Sequence, residues 1–202
     1  MAQASLDLAL HGRRFGAVAI GASAGGVNAL IDILPGLPRS YPLPIVVVLH
    51  VMRGRQNQLV DVFRQRVELR VEEAADKDAL APGTLYFAPA DYHLSIEEGG
   101  VFSLSLEPPV HFARPAIDMT MESAADVYGR GLCGVLLTGA NHDGAAGLAA
   151  IGKAGGLTVV QEPAEAQVAV MPNEAIRRRA PDLVLPLRDI RKLLAMLTGE
   201  VG

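Results

Sequence analysis

Three residues that lie far apart in the chain have the types that acyl transfer needs: Ser23, His50 and Asp143. Ser23 is the centre of Gly21-Ala22-Ser23-Ala24-Gly25, a G-x-S-x-G pattern. Between a strand and a helix, such a turn lifts the hydroxyl to the sheet edge. Its small residues let the backbone turn and a substrate approach. A serine hydroxyl is a poor nucleophile until a base takes its proton. Histidine does so near neutral pH, and a carboxylate fixes the imidazole tautomer and stabilises the imidazolium. By itself the motif reads equally well as a purely structural turn. The set of three carries the argument, because each residue follows an apolar run that reads as a strand. Catalytic groups in open α/β sheets gather at those carboxyl ends. The chain order is Ser…His…Asp. The α/β-hydrolase order is Ser…Asp…His, which places this chain elsewhere.

The elements that must position these residues are readable from the spacing. Residues 15–20 form a short apolar strand, and a helix is predicted from Gly25 or Gly26 to about Leu34, stopped by Pro35-Gly36. Residues 44–49 read as a buried parallel strand, and residues 56–66 carry helical spacing. The middle changes character. Residues 69–71, 84–88, 93–96 and 101–106 are short runs, several of them alternating, with a hairpin-type turn at Glu98-Gly99-Gly100. An antiparallel excursion is predicted there. Helix returns at 117–128, then strand 131–137, helix 144–153, strand 157–160, helix 173–178, strand 183–185 and helix 188–197. The alternation predicts an α/β fold with a doubly wound, mostly parallel, Rossmann-like sheet.

Composition narrows the function. The chain has 202 residues, 50% of them apolar and 20% charged, enough for one sizeable core. Aromatic residues make up 4%, so that core rests on Val, Leu, Ile and Ala. The net charge of −4 argues against nucleic acid as a partner. The densest basic run, Arg177-Arg178-Arg179, reads as the solvated C-terminal turn of a helix. Cys133 is the only cysteine and reads as a core residue, which fits a cytoplasmic protein. No apolar run is long enough to insert into a membrane. Residues 1–14 read as a loosely ordered leader and 15–202 as a single domain.

With these residues in view, the chain resembles the catalytic domain of the chemotaxis receptor methylesterases, the CheB family. The resemblance runs from about Phe15 to Leu194 and rests on blocks in a fixed order. They are Ile20-Gly21-Ala22-Ser23-Ala24-Gly25-Gly26, the strand ending in His50, and Pro82-Gly83-Thr84-Leu85-Tyr86 with Ala88-Pro89 and His93-Leu94. Arg114-Pro115-Ala116-Ile117-Asp118 follows, then Leu137-Thr138-Gly139 leading to Asp143-Gly144-Ala145, and Met171-Pro172-Asn173.

The resemblance implies a hydrolase that cleaves glutamate methyl esters on the cytoplasmic helical region of methyl-accepting chemoreceptors, releases methanol and deamidates certain glutamines. It implies Ser23 as nucleophile, His50 as base and Asp143 as its orienter, with no cofactor. The backbone N–H at Ala140, where the family commonly has methionine, stands where a donor to the oxyanion is found. Ala24, Met171 and Arg114 are candidate substrate contacts. The chain departs from the family at Leu49, Val51 and Met52, the neighbours of His50, and at Ala24, where threonine is common. The stretch before Phe15 is too short for the family's receiver domain. A separate receiver protein is therefore a candidate partner, and an open pocket is expected, active without a phosphodonor such as acetyl phosphate.

Rival readings are a non-catalytic interaction module on the same fold and a dinucleotide-binding domain. For the latter, Ser23 replaces the middle glycine, and the second strand ends in His50 rather than a ribose-binding acid. A metal site from His50, His142 and Asp143 lacks any ligand motif. His142 reads as a loop residue at the pocket rim. His93 and His111 are spare candidates for the base and otherwise read as structural or surface histidines. Asp118 reads as a first-turn carboxylate that favours the helix dipole. Arg114 reads equally as half of a structural ion pair.

Overall fold

The computed structural model of the chain describes residues 2–50 and 56–197. Helix α1 spans Ala2–Leu10 and is followed by strand β1, Ala17–Ala22, whose six residues are all buried. A strand covered by helices on both faces reads as a continuous apolar run, as Ala-Val-Ala-Ile-Gly-Ala does. The chain continues through α2 (Gly26–Ile33), β2 (Ile45–Leu49), α3 (Gln56–Arg64), β3 (Arg70–Glu73) and β4 (Thr84–Phe87). A hairpin follows, β5 (His93–Glu97) and β6 (Val101–Ser105). Then come α4 (Ile117–Tyr128), β7 (Leu132–Leu136), α5 (Ala145–Lys153), β8 (Leu157–Gln161), α6 (Val170–Arg178), β9 (Leu183–Leu185) and α7 (Leu187–Met196).

Seven strands form one sheet in the order β3-β4-β2-β1-β7-β8-β9, and every pair in it is parallel. From β1 the chain moves first to one side, through β2, and later to the other, through β7. This makes the β1/β7 boundary a topological switch point, where α/β sheets open a crevice at their carboxyl edge. The doubly wound fold is therefore as predicted.

Two cores flank the sheet because successive side chains in a strand alternate faces. Val18, Ile20 and Ala22 join Leu30, Ile33, Phe63, Ile190 and Leu193 on one face. Ala17 and Ala19 lie on the other, with Met121, Leu148 and Ile151. Small residues on this second face let α4 approach closely. A Cβ at Gly21 would run into Ile117 and Leu136.

Three expectations need correction. The antiparallel excursion is confined to β5 and β6, a separate two-stranded sheet. Strands β3 and β4 instead extend the parallel sheet, because Val71 and Leu85 bury against its outer end. Residues 2–10, expected as part of a loosely ordered leader, are helical, and Leu6 is fully buried in the first core. Helix α6 starts at Val170, one turn earlier than predicted. Pro172 is accommodated in its first turn, where no intrahelical N–H bond is lost.

The burial of Leu6 makes α1 a stabilising element. Leu6→Ala should cost about 2–4 kcal/mol of unfolding free energy, the usual range for emptying a buried leucine site. Urea unfolding measures this. A change within about 0.5 kcal/mol, the range of exposed positions, would contradict the packing of α1.

Candidate active site

Sheet register places the first two site residues side by side. Ala22 pairs with Leu49 at the ends of β1 and β2, so Ser23 and His50 are the next residues on neighbouring strands. The His50 N–H donates to the Ala22 carbonyl at 3.0 Å, carrying the ladder one step further. Beyond Ser23 the chain reverses into α2 through Gly25, whose φ of +82° is left-handed and favours glycine. Thr138, just past β7, pins this turn from the other side. Its carbonyl accepts the Ser23 N–H at 3.0 Å, and its hydroxyl donates to the Ala24 carbonyl at 2.8 Å. The same hydroxyl accepts the Val168 N–H at 2.9 Å.

Asp143 is fully buried and is held mainly by backbone donors. Its carboxylate accepts the N–H of Ile117 at 2.7 Å and of Asp118 at 2.9 Å, both in the first turn of α4. A third bond comes from Gly144 at 3.0 Å. Helix N-termini offer unpaired N–H groups and a favourable dipole to such an anion. Burial by itself would raise the Asp143 carboxyl. The neighbouring His50 and the N–H groups of Asp118 and Ile117 outweigh it and hold the carboxyl below the ordinary carboxylate value. Asp118 makes the complementary contact, accepting the Gly147 N–H of α5 at 2.7 Å. Its own carboxyl is pushed up, chiefly by burial and further by the charge of Asp143, with the Gly147 bond opposing.

The His50 imidazole lies between these groups. Its Nε2 is 2.9 Å from Asp143 Oδ2, although no hydrogen bond of good direction forms at Nε2 in this pose. On the opposite side of the ring, the Asn141 side-chain amide nitrogen is 3.3 Å from Nδ1. Ser23, His50 and Asn141 line one cavity of about 460 Å³. Asp91, Pro109 and residues 111–115 complete its walls, and Phe112 stands fully exposed on this wall segment. His111 Nε2 lies 3.5 Å from Asp118 Oδ2 and links the segment to the carboxylate pair.

The predicted residues separate into those the cavity unites and those it does not. Ser23 and His50 line it, and Asp143 is buried behind His50. Arg114 is also a wall residue, but its guanidinium donates to the carbonyls of Leu106 and Glu107, both at 3.1 Å, in place of a carboxylate. Ala24 lies in the turn that carries Ser23, and Ala140 is exposed in the loop after β7; neither lines the cavity. Met171 is fully buried against Gly139 and does not line the cavity. His93 is buried with both ring nitrogens engaged, to the Pro108 carbonyl and the Ala116 N–H, so it is structural. His142 is exposed, and the described residues contain no cluster that could hold a metal. Asp118 does sit in the first turn of its helix. Arg177 and Arg178 end α6 as a solvated turn. Burial pushes the Cys133 thiol up to about 12, which leaves it an inert core residue. Val51 and Met52 lie outside the described residues. Sequence reasoning missed Asn141 and Thr138, whose signal was proximity to Asp143 and to the end of β7.

Residues 18–194 match the family model described as CheB methylesterase. A relative from Leptospira interrogans is 43% identical over 181 residues, covering 90% of this chain and 94% of its own length. One from Carboxydothermus hydrogenoformans, named protein-glutamate methylesterase/protein-glutamine glutaminase 1, is 41% identical over 194 residues. That match covers 93% of this chain and 56% of the relative, so the chain spans about half of that protein. The crystal structure of the Thermotoga maritima CheB methylesterase catalytic domain superposes with a TM-score of 0.85 at 35% identity. It covers 89% of this chain and 97% of that one.

The lowered Asp143 carboxyl sets a pH dependence. A depressed folded value stabilises the protein above the unfolded carboxylate value, about pH 3.9, and that stability is lost as pH falls through the folded value. Asp118 is raised and acts in the opposite direction, so the informative comparison is with Asp143→Asn. The wild-type protein should exceed the variant by about 1–3 kcal/mol at pH 7, and the gap should shrink at pH 3. Urea unfolding at both pH values measures it; a gap that widens on acidification would contradict the assignment.

Proposed function

The chain belongs to the CheB methylesterase family, and we propose that it is a serine hydrolase that demethylates glutamate methyl esters on chemoreceptors. The observation that carries this reading is the pairing of His50 with the buried Asp143 at 2.9 Å, on a cavity that Ser23 also lines. In the proposed reaction, Ser23 Oγ bonds to the ester carbonyl carbon as its proton passes to His50. The carbonyl π electrons move to oxygen and form the tetrahedral oxyanion. The imidazolium formed on His50 is stabilised by the Asp143 carboxylate, which α4 and Gly144 keep ionised. Collapse of the oxyanion expels the methoxy group, which leaves as methanol with the proton from His50. Water, deprotonated by the same base, then attacks the acyl-serine. This releases the glutamate side chain and restores the Ser23 hydroxyl.

The geometry also favours Nδ1 as the nitrogen that takes the Ser23 proton, because Nε2 is turned to Asp143. Ala140, next to the cavity-lining Asn141 although not itself on the cavity wall, is the proposed oxyanion donor: its backbone N–H has no hydrogen-bond partner within the described residues and lies in the loop before Asp143. Such a donor acts on charge that develops only in the transition state. A glutamine side chain has the same carbonyl, with ammonia as leaving group, so deamidation follows from the same steps. The proposed partner is the helical region of receptors on the cytoplasmic side of the membrane, with a separate receiver protein as a second. No helix of the described residues is long and apolar enough to cross a membrane.

Methanol release from methylated receptor tests the reading. Ser23→Ala should lose several orders of magnitude in turnover while unfolding cooperatively like the wild type. A fluorophosphonate should label Ser23 in the wild type and fail in the variant. A second test separates the histidines. His50→Ala should abolish turnover, whereas His93→Ala should lower stability and leave an active fraction. Full activity in either Ser23→Ala or His50→Ala would refute the mechanism.

A further inference from the structure

The residue that the proposed mechanism leaves unused is Asn141, although it touches the base. Its two ends are both engaged. Oδ1 accepts the Asp143 backbone N–H at 3.3 Å, and Nδ2 lies 3.3 Å from His50 Nδ1. The first contact decides the second. A backbone N–H only donates, so the amide oxygen must face Asp143 and the NH₂ group must face the imidazole. A donor at Nδ1 requires that nitrogen to carry the lone pair, which puts the ring proton on Nε2, beside Asp143 Oδ2. Asn141 and Asp143 thus select one tautomer from opposite sides of the ring.

We infer that Asn141 is a positioning residue that caps the base: its amide holds His50 Nδ1 as an acceptor and must yield that lone pair to Ser23 in each turnover. This inference deepens the proposed function and rests on it for the word base, though the contact itself does not. A hydrogen bond to the neutral ring favours that form over the cation. When Nδ1 takes a proton, the NH₂ group opposes it until the amide moves aside.

Asp143 faces His50 from the loop after β7. From the other walls of the cavity the described charged and titratable groups are Asp91, His111 and Arg114. Asp118 acts more distantly through its bond to Asp143. None of these groups is replaced in an Asn141 variant, and Asn141→Asp also keeps an acceptor for the Asp143 N–H, so a change in pH dependence common to both variants reports the amide.

The experiment compares wild type, Asn141→Ala and Asn141→Asp. Two readouts are followed: the acid limb of kcat/KM for ester hydrolysis, and the ¹⁵N resonances of the His50 ring across pH. The wild-type neutral ring should be protonated on Nε2. In Asn141→Ala both the kinetic limb and the ring titration should move to higher pH, by about half to one unit, the equivalent of one ordinary hydrogen bond. Asn141→Asp keeps the size of the side chain and the acceptor for Asp143 N–H. It replaces the donor with a carboxylate, so both midpoints should move up further. Midpoints that stay fixed or move down, or a wild-type ring protonated on Nδ1, overturn the inference. Should the wild type prove inactive toward esters, the proposed function fails. The ring titration would still decide the role of Asn141, because it needs no turnover. Should Asn141→Ala not fold, the isosteric Asn141→Asp carries the same test.

Discussion

Much of this site depends on one buried carboxylate. Asp143 is fully buried, and an ion in such a place is tolerated only when donors replace its water. Here the donors are backbone N–H groups of Ile117, Asp118 and Gly144. The exchange is reciprocal. Asp143, just before α5, closes the N-terminus of α4, and Asp118, within α4, accepts from Gly147 in α5. Each helix satisfies its unpaired N–H groups with the other's acid. The pair of helices is tied together by the residue that stands 2.9 Å from His50, so the packing of α4 on α5 and the placement of that carboxylate share one interaction.

That exchange requires α4 and α5 to come very close. Gly147 lies against Asp118 and Met121, where a Cβ would collide. Gly144 has a left-handed φ of +92° and meets Leu136 and Ile117. Small residues on β1 serve the same end on the sheet side. The run Ala17, Ala19 and Gly21 leaves room for α4 to seat its first turn over the switch point. The result is an N-terminal N–H array aimed at the spot where the loop after β7 delivers its acid.

The pocket wall is built differently from its floor. Ser23 and His50 stand on adjacent strand ends whose pairing is set by the ladder. Among the described residues, the segment from Pro109 to Pro115 pairs with no strand of the sheet; Val110 and Ala113 bond only to each other, at 3.1 and 2.8 Å, around His111 and Phe112, which both take left-handed φ values. It is attached by the His111–Asp118 contact and by the Arg114 bonds to its own neighbouring carbonyls. Ser23 and His50 thus stand on a strand-end floor opposite a wall made of loop, the part of such a cavity that varies most readily.

The sequence alone determined most of the elements and singled out Ser23, His50 and Asp143, which the fold brings to one sheet edge. Apolar runs and helical spacing are local properties, and β1, β2, β7, α2 and α5 lie within a few residues of where they were read. The G-x-S-x-G turn and the strand-end placement of His50 and Asp143 are local as well. What periodicity does not carry is the partner of each element. Strands β3 and β4 are short and partly alternating, and only the sheet decided that they pair in parallel. Met171 sits in a recognisable block, yet burial against Gly139 depends on how α6 packs. The hold of α4 on Asp143 spans about 26 residues of chain, and the Asn141–His50 contact spans 91. Hydrogen bonds between such distant groups are created by topology, because only the folded sheet brings those backbone and side-chain donors to one edge.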